Sequence, residues 1–243
     1  ARVAGVVSVS EPLAHWSRSR LGLRADRVWY LPNFPCCDES PPIPDDLPGQ
    51  PGKRIVCVAN LRPEKDHLTL IEAMKQVIES EPDAHVLLVG AQTDAAQTQA
   101  VRSLIATYQL DGRIHLLGSR RDVAGVLRGC DVGVLSSASE GLPLSLLEYG
   151  LAGLATVATD VGQCSEVLDG GRAGSVVPSR APAALASAIL ELLRSPRRRD
   201  ELARAFHQRV TRLYSAESVL QSLTEIYDVV LGPRHTPSAR GRR

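Results

Sequence analysis

The chain has 243 residues, 44% of them hydrophobic, enough to bury the core of one large domain or of one and a half ordinary ones. Its 28 basic and 27 acidic residues nearly cancel, so no net field marks it as a partner of nucleic acid. No apolar run approaches the ~18 residues of a membrane span, the first residues do not read as a signal peptide, and no internal repeat is evident.

In chain order, the apolar run at 3–9 predicts a strand. Ser10 followed by Glu11 and Pro12 is a helix start, for a helix that runs to about Leu21 and stops at Gly22. Residues 27–31 predict a second strand, closing at Pro32. This β-α-β piece has no further strands to complete its sheet and cannot bury both faces alone. Residues 35–52, rich in Pro, Asp and Gly, read as a linker.

Residues 55–59 predict a buried strand, and Asp66 an N-cap for a helix whose apolar face is Leu68, Ile71, Met74 and Val77 or Ile78. Further strands are expected at 84–89, 113–117, 132–135, 154–158 and 176–177, and helices at 94–108, 123–128 and 182–193. A short helical segment is expected at 164–168 and a helical pattern over 197–231. Residues 233–243 are polar and arginine-rich and predict disorder. Five cysteines, Cys36, Cys37, Cys57, Cys130 and Cys164, show no CxxC spacing and read as reduced, structural thiols of a cytoplasmic protein. Six histidines show no ligand spacing, and no metal site is expected.

The stretch at 136–153 lies between two of these strands, so the unit is β-turn-α-β, with parallel strands and a right-handed crossover. Pro143 suits the first turn of the helix, and Gly141 lets the backbone approach a ligand. N–H groups around Leu142, Leu144 and Ser145 are then left at the positive end of a helix dipole, a place for an anion. Glu140 precedes the helix and Glu148 lies inside it, roughly 7 Å further along the axis, about the reach from a diphosphate to a ribose. A carboxylate accepts two hydrogen bonds side by side and suits a sugar diol. A second reading stays open on these residues alone, with Glu140 a capping-region acid and Glu148 a solvated helix residue.

In the segment Asn60-Leu61-Arg62-Pro63-Glu64-Lys65, two cations stand just ahead of a helix N-terminus, where the dipole disfavours them. A bound anion would remove the conflict; pairing with Glu64 and Asp66 would do the same. The loops at 60–65, 118–121 and 136–144 each follow the carboxyl end of a strand, the edge at which open parallel sheets bind ligands. They are expected to meet in one crevice.

Glu140, Gly141, Leu142, Pro143, the Leu146-Leu147-Glu148 step, Gly153, the run Val157-Ala158-Thr159-Asp160-Val161-Gly162 and Glu166 resemble the signature of the group 1 glycosyltransferases. These are retaining enzymes of the GT-B fold. The resemblance implies an α/β, Rossmann-like, doubly wound parallel sheet, the C-terminal half of a GT-B fold with a partial N-terminal β-α-β remnant. Residues 1–34 would be the tail of an incomplete acceptor-binding domain, 35–52 the linker, 53–195 the nucleotide-sugar donor-binding domain, 196–232 C-terminal helices and 233–243 a basic tail. In this light the donor is a nucleoside diphosphate sugar. Glu140, Lys65 and Arg62 take catalytic roles, Glu140 facing the donor sugar and the two cations the diphosphate. Asn60, Gly118, Ser119, Gly141, Leu142, Leu144, Ser145 and Glu148 bind the donor, with Glu148 on the ribose and Gly118 and Ser119 near the base. Asn60 stands where the family carries arginine, and Phe34 where it carries glycine.

The implied acceptor is a glycan, a lipid-linked sugar or a small molecule, with no nucleic-acid partner. No cofactor and no metal are required, since cations already serve the diphosphate. Arg197, Arg198, Arg199, Arg204, Arg209 and Arg212 make the terminal helical region basic, which suits an anionic membrane surface or a solvated helical face. The expected place is the cytoplasm, including the inner face of a membrane. Two other classes fit the same residues, a nucleotide-sugar epimerase or isomerase of the same fold and a non-catalytic nucleotide-sugar-binding module or split-enzyme subunit. Transferase chemistry is expected of the parent polypeptide rather than of this chain alone.

Overall fold

The computed structural model describes residues 3–35 and 41–232. The anticipated basic tail at 233–243, together with Cys36 and Cys37, lies outside the described residues.

At the N-terminal side, β1 (Val6–Ser8), α1 (Glu11–Arg20) and β2 (Val28–Tyr30) form a two-stranded parallel sheet with its crossing helix. Ser10 caps α1 as expected, its Oγ accepting from Leu13 N at 3.4 Å. β1 is shorter than the apolar run at 3–9. Val3 and Val9 pair with no strand among the described residues and stay exposed, as expected at the flanks of a marginal two-stranded sheet.

The body continues as β3 (Arg54–Val58), α2 (His67–Ser80), β4 (His85–Val89), α3 (Ala95–Thr107), β5 (Ile114–Gly118), α4 (Val123–Arg128) and β6 (Val132–Leu135). Then come α5 (Leu144–Leu151), β7 (Ala155–Thr159), α6 (Cys164–Val167), β8 (Ser175–Val177), α7 (Pro182–Arg194), α8 (Pro196–Leu213) and α9 (Ala216–Leu231). The six strands from β3 to β8 pair in parallel in the order β5-β4-β3-β6-β7-β8. Successive residues alternate between two cores: Ile55 and Cys57 face α2 and α7, whereas Val56 faces α5 and α8. Because helices cover both faces, the strands read as unbroken apolar runs.

Two local expectations are corrected, and a third is resolved into its separate elements. The buried stripe of α2 is Leu70, Ile71, Ala73, Met74 and Val77, while Leu68 and Ile78 are only partly buried. α7 packs alongside α2 with Leu185 and Ile189 in the same core, which widens and rotates the covered arc. Pro143 is the N-cap of α5, with ψ 119°, rather than a first-turn residue. The helical pattern at 197–231 is two helices, broken where buried Tyr214 ends α8 and Ser215 Oγ accepts from Ser218 N to cap α9. Among the described residues no helix is long and apolar enough to cross a membrane.

The described part of the linker, residues 41–52, is docked on the body. The Arg54 guanidinium donates to the carbonyls of Leu47, Gly49 and Gly129 at 3.0, 2.7 and 3.1 Å. Cys57, Cys130 and Cys164 are buried thiols, and burial pushes each up to about 12, which leaves them unreactive at neutral pH.

His67, the first residue of α2, is fully buried, and burial lowers its ring to about 4 from an ordinary 6.5. Between those values the unfolded chain holds the proton and the folded one does not, so stability is full above pH 6.5 and falls as pH drops toward 4. Denaturant unfolding should show a loss on the order of 1.4 kcal/mol per pH unit in that window. His67→Gln should reduce that slope, the remainder coming from His85 and His115, whose rings burial also lowers; an unchanged pH slope in the variant would contradict the assignment.

Candidate functional site

β3 and β6 are neighbours at the centre of the sheet, and the chain winds outward from them in opposite directions, through β4 and β5 on one side and β7 and β8 on the other. Their carboxyl ends therefore bound a crevice. A cleft of about 370 Å³ lies there. Asn60, Arg62 and Lys65 line it from the loop after β3, Ser119 and Arg120 from the loop after β5, and Leu144, Ser145 and Glu148 from α5. The three loops meet as their positions in the sequence imply.

Lys65 does not pair with Glu64 or Asp66. Its Nζ lies 2.6 Å from Glu140 Oε1, across the switch point. The same Oε1 accepts from Ser137 Oγ at 2.6 Å, which leaves Oε2 with no partner among the described residues. The conflict between a cation and a helix N-terminus is thus met by an acid of the facing loop. The backbone fixes this arrangement: Ala138 N donates to Glu64 O at 2.8 Å, Ser136 Oγ to Lys65 O at 3.0 Å and Thr159 Oγ1 to Ser137 O at 2.6 Å. Gly162, at φ 54°, packs so closely on this loop that a Cβ there would stand 2.3 Å from Glu140 O. The Glu140 side chain is 8% exposed and reaches the cleft through the Lys65 ammonium rather than as one of its walls.

The remaining expected residues are placed as follows. The N–H groups of Leu142, Leu144 and Ser145 find no acceptor among the described residues and lead into α5, while Leu142 buries its side chain in the core beneath and Gly141 is exposed. Arg62 sits on the rim, 3.3 Å from Thr93 Oγ1 and 3.9 Å from Glu64. Asn60 lines the cleft, yet its Oδ1 accepts from Ala91 N at 2.8 Å and so also pins the loop after β4. Gly118 ends β5 at φ 66° and turns the chain toward Ser119. Glu148 lines the cleft half-buried, and burial alone raises its carboxyl above the usual range. Glu166 accepts from Gln163 Nε2 at 2.8 Å, a structural contact away from the cleft.

Sequence reasoning missed the buried hydroxyls of Ser136, Ser137 and Thr159, whose only signal was a pair of serines where an apolar strand ends. Arg120 is a cleft wall held by Asp122 and by Asp46 of the linker, which drive its guanidinium pKa up.

The sequence model of the family described as Glycosyl transferases group 1 matches residues 52–195. A phosphatidyl-myo-inositol mannosyltransferase of Mycobacterium leprae is 28% identical over 233 residues, which cover 94% of this chain and 60% of the mannosyltransferase. Among solved structures, a sucrose-phosphate synthase from Thermosynechococcus elongatus is similar at TM-score 0.81 and 22% identity, over 95% of this chain and 59% of that one. HepE from Anabaena, solved in complex with UDP, is similar at TM-score 0.80 and 18% identity, over 93% of this chain and 64% of that one. The chain thus spans about three fifths of the length of these relatives and has the Rossmann-like fold of a GT-B half. With the family model covering more than half of its residues, the chain belongs to the group 1 glycosyltransferases.

Proposed function

We propose that the cleft holds the nucleoside diphosphate of a sugar donor, and that the chain is the donor-binding part of a retaining glycosyltransferase. The observation that carries this is the shared cleft of Lys65, the unpaired amides leading into α5, and Glu148. An ammonium has three donors, so Lys65 can keep Glu140 and still take a phosphate oxygen. The amides add the positive end of a helix dipole. Together with Arg62 they neutralise the diphosphate as it departs and its charge grows, without calling on a divalent cation.

Glu140 fixes the Lys65 ammonium at the diphosphate through Oε1, and its open Oε2 is the atom that would meet the sugar hydroxyls and the cationic ring of the transition state. Glu148, about a turn and a half along α5, takes the ribose diol, and Ser119 with Gly118 lies at the base. UDP bound by the similar HepE supports a nucleoside diphosphate. The name of the M. leprae relative, with its phosphatidyl-myo-inositol, supports a lipid-linked acceptor over a free glycan. Such an acceptor supports a location at the inner face of a membrane, toward which the exposed Arg204 and Arg212 of α8 would turn. Retention of anomeric configuration follows the family.

Titration calorimetry with UDP, GDP, ADP and dTDP against the matching nucleosides should show one diphosphate binding far more tightly than its nucleoside. Lys65→Ala should weaken that diphosphate by about 1.5–3 kcal/mol, roughly 10- to 150-fold, and leave the nucleoside nearly unchanged. Equal affinities of nucleoside and diphosphate would reject the phosphate site.

Glu148 gives a second test. Its folded carboxyl titrates above its unfolded one, so stability present below the unfolded pKa is lost as pH rises through the folded pKa. Glu148→Gln should therefore unfold at higher temperature than wild type at pH 8, while losing the preference for a ribonucleotide over its deoxyribose analogue. A variant less stable at pH 8 would contradict the cost of burying this carboxylate, and one that keeps that preference would contradict the ribose role.

A further inference from the structure

β3 and β6 pair in register through Ile55–Val132 and Val56–Gly133, and no further. Continued by two residues, that register would send the Val58 N–H to the Val134 carbonyl, the next rung of a parallel ladder. The bond is not made directly. Val58 N donates to Tyr149 Oη at 2.7 Å, and the Tyr149 hydroxyl donates to Val134 O at 3.2 Å. One oxygen atom stands inside the ladder, and two hydrogen bonds in series replace one of about 2.9 Å.

We infer that Tyr149 is a positioning residue, a wedge whose hydroxyl holds β3 and β6 apart at their carboxyl ends and so sets the width of the cleft mouth. The splay is confined to this junction. On either side the ladders run to the end of the strands, β3 with β4 as far as Val58–Val89 and β6 with β7 as far as Leu135–Ala158. The place is also prepared for the ring: Gly133 leaves the space, since a Cβ there would stand 2.7 Å from Tyr149 Cδ2. The ring is fully buried, and burial raises the phenol pKa well above its usual range, so the hydroxyl keeps the proton that it donates to Val134.

Both strands lead directly from the wedge into the cleft. Val58 and Ala59 form its floor, and β6 runs on through Ser136 and Ser137 to Glu140. Tyr149 also follows Glu148, so one turn of α5 carries an acid facing the cleft and the wedge beneath it. The consequence for ligands rests on the donor reading of the cleft: a mouth narrowed by one hydroxyl would bring the Lys65 loop and the α5 amides too close to admit a diphosphate between them.

Tyr149→Phe removes one atom and frees Val58 and Val134 to bond. Through-hydrogen-bond NMR coupling from Val58 15N to the Val134 carbonyl 13C should be absent in wild type and present in the variant. UDP, or whichever diphosphate binds wild type, should bind the variant roughly tenfold more weakly or worse, with the matching nucleoside little affected. A direct coupling in wild type overturns the wedge, and that measurement stands even where the variant does not fold. Equal diphosphate affinity in a folded variant overturns its role at the mouth. A wild type that binds no nucleoside diphosphate overturns the donor reading and that role with it, while the coupling still decides whether the strands are held apart.

Discussion

The contact of 2.6 Å between Lys65 Nζ and Glu140 Oε1 ties together two loops that are 75 residues apart in sequence and on opposite sides of the switch point. Glu140 is nearly buried, and a buried carboxylate without its partner costs several kcal/mol, so neither loop can move off without the other. The pair therefore does two things. It sets the spacing between the Lys65 loop and the amides of α5, and it leaves an ammonium with donors to spare facing the cleft. Groups held in place this way would meet the condition for electrostatic stabilisation of a developing charge.

Around that pair the protein is locally costly and globally cheap. Glu148 keeps a half-buried carboxyl without an ion-pair partner among the described residues, and a hydroxyl interrupts the central ladder at Val58. Stability comes from elsewhere: two apolar cores on the two faces of a six-stranded sheet, closed by α7 and α8. The N-terminal piece is less well supported. Val7, Leu13 and Trp16 are exposed, and the Gln163 amide reaches Tyr30 Oη at 3.4 Å to link the piece to the body.

Much of the architecture was legible because its signals are local. Apolar runs bounded by polar turns marked the strands, and Ser10, Asp66 and Asp94 cap α1, α2 and α3 through their own side chains. The convergence of three loops followed from their place after parallel strands. Contacts between distant residues were not legible. Nothing near Lys65 announces Glu140, and the facing of α2 depends on α7, more than a hundred residues later. Tyr149 reads as one more apolar position in a helix, and Gly133 as a weak strand residue, until the two are seen to need each other. Family resemblance supplied roles for the acids; it did not supply the hydroxyls that aim them.

The central claim is that the unpaired amides of α5 and Lys65 form one receptor for a pyrophosphate group. Titrating isotope-labelled protein with inorganic pyrophosphate, and following backbone amide and Lys65 ammonium resonances, tests it without regard to base or sugar. The account predicts concerted, saturable shifts at Leu142, Leu144, Ser145 and Lys65 with one dissociation constant. Shifts confined to the arginines of α8, or at Lys65 without the amides, would contradict it.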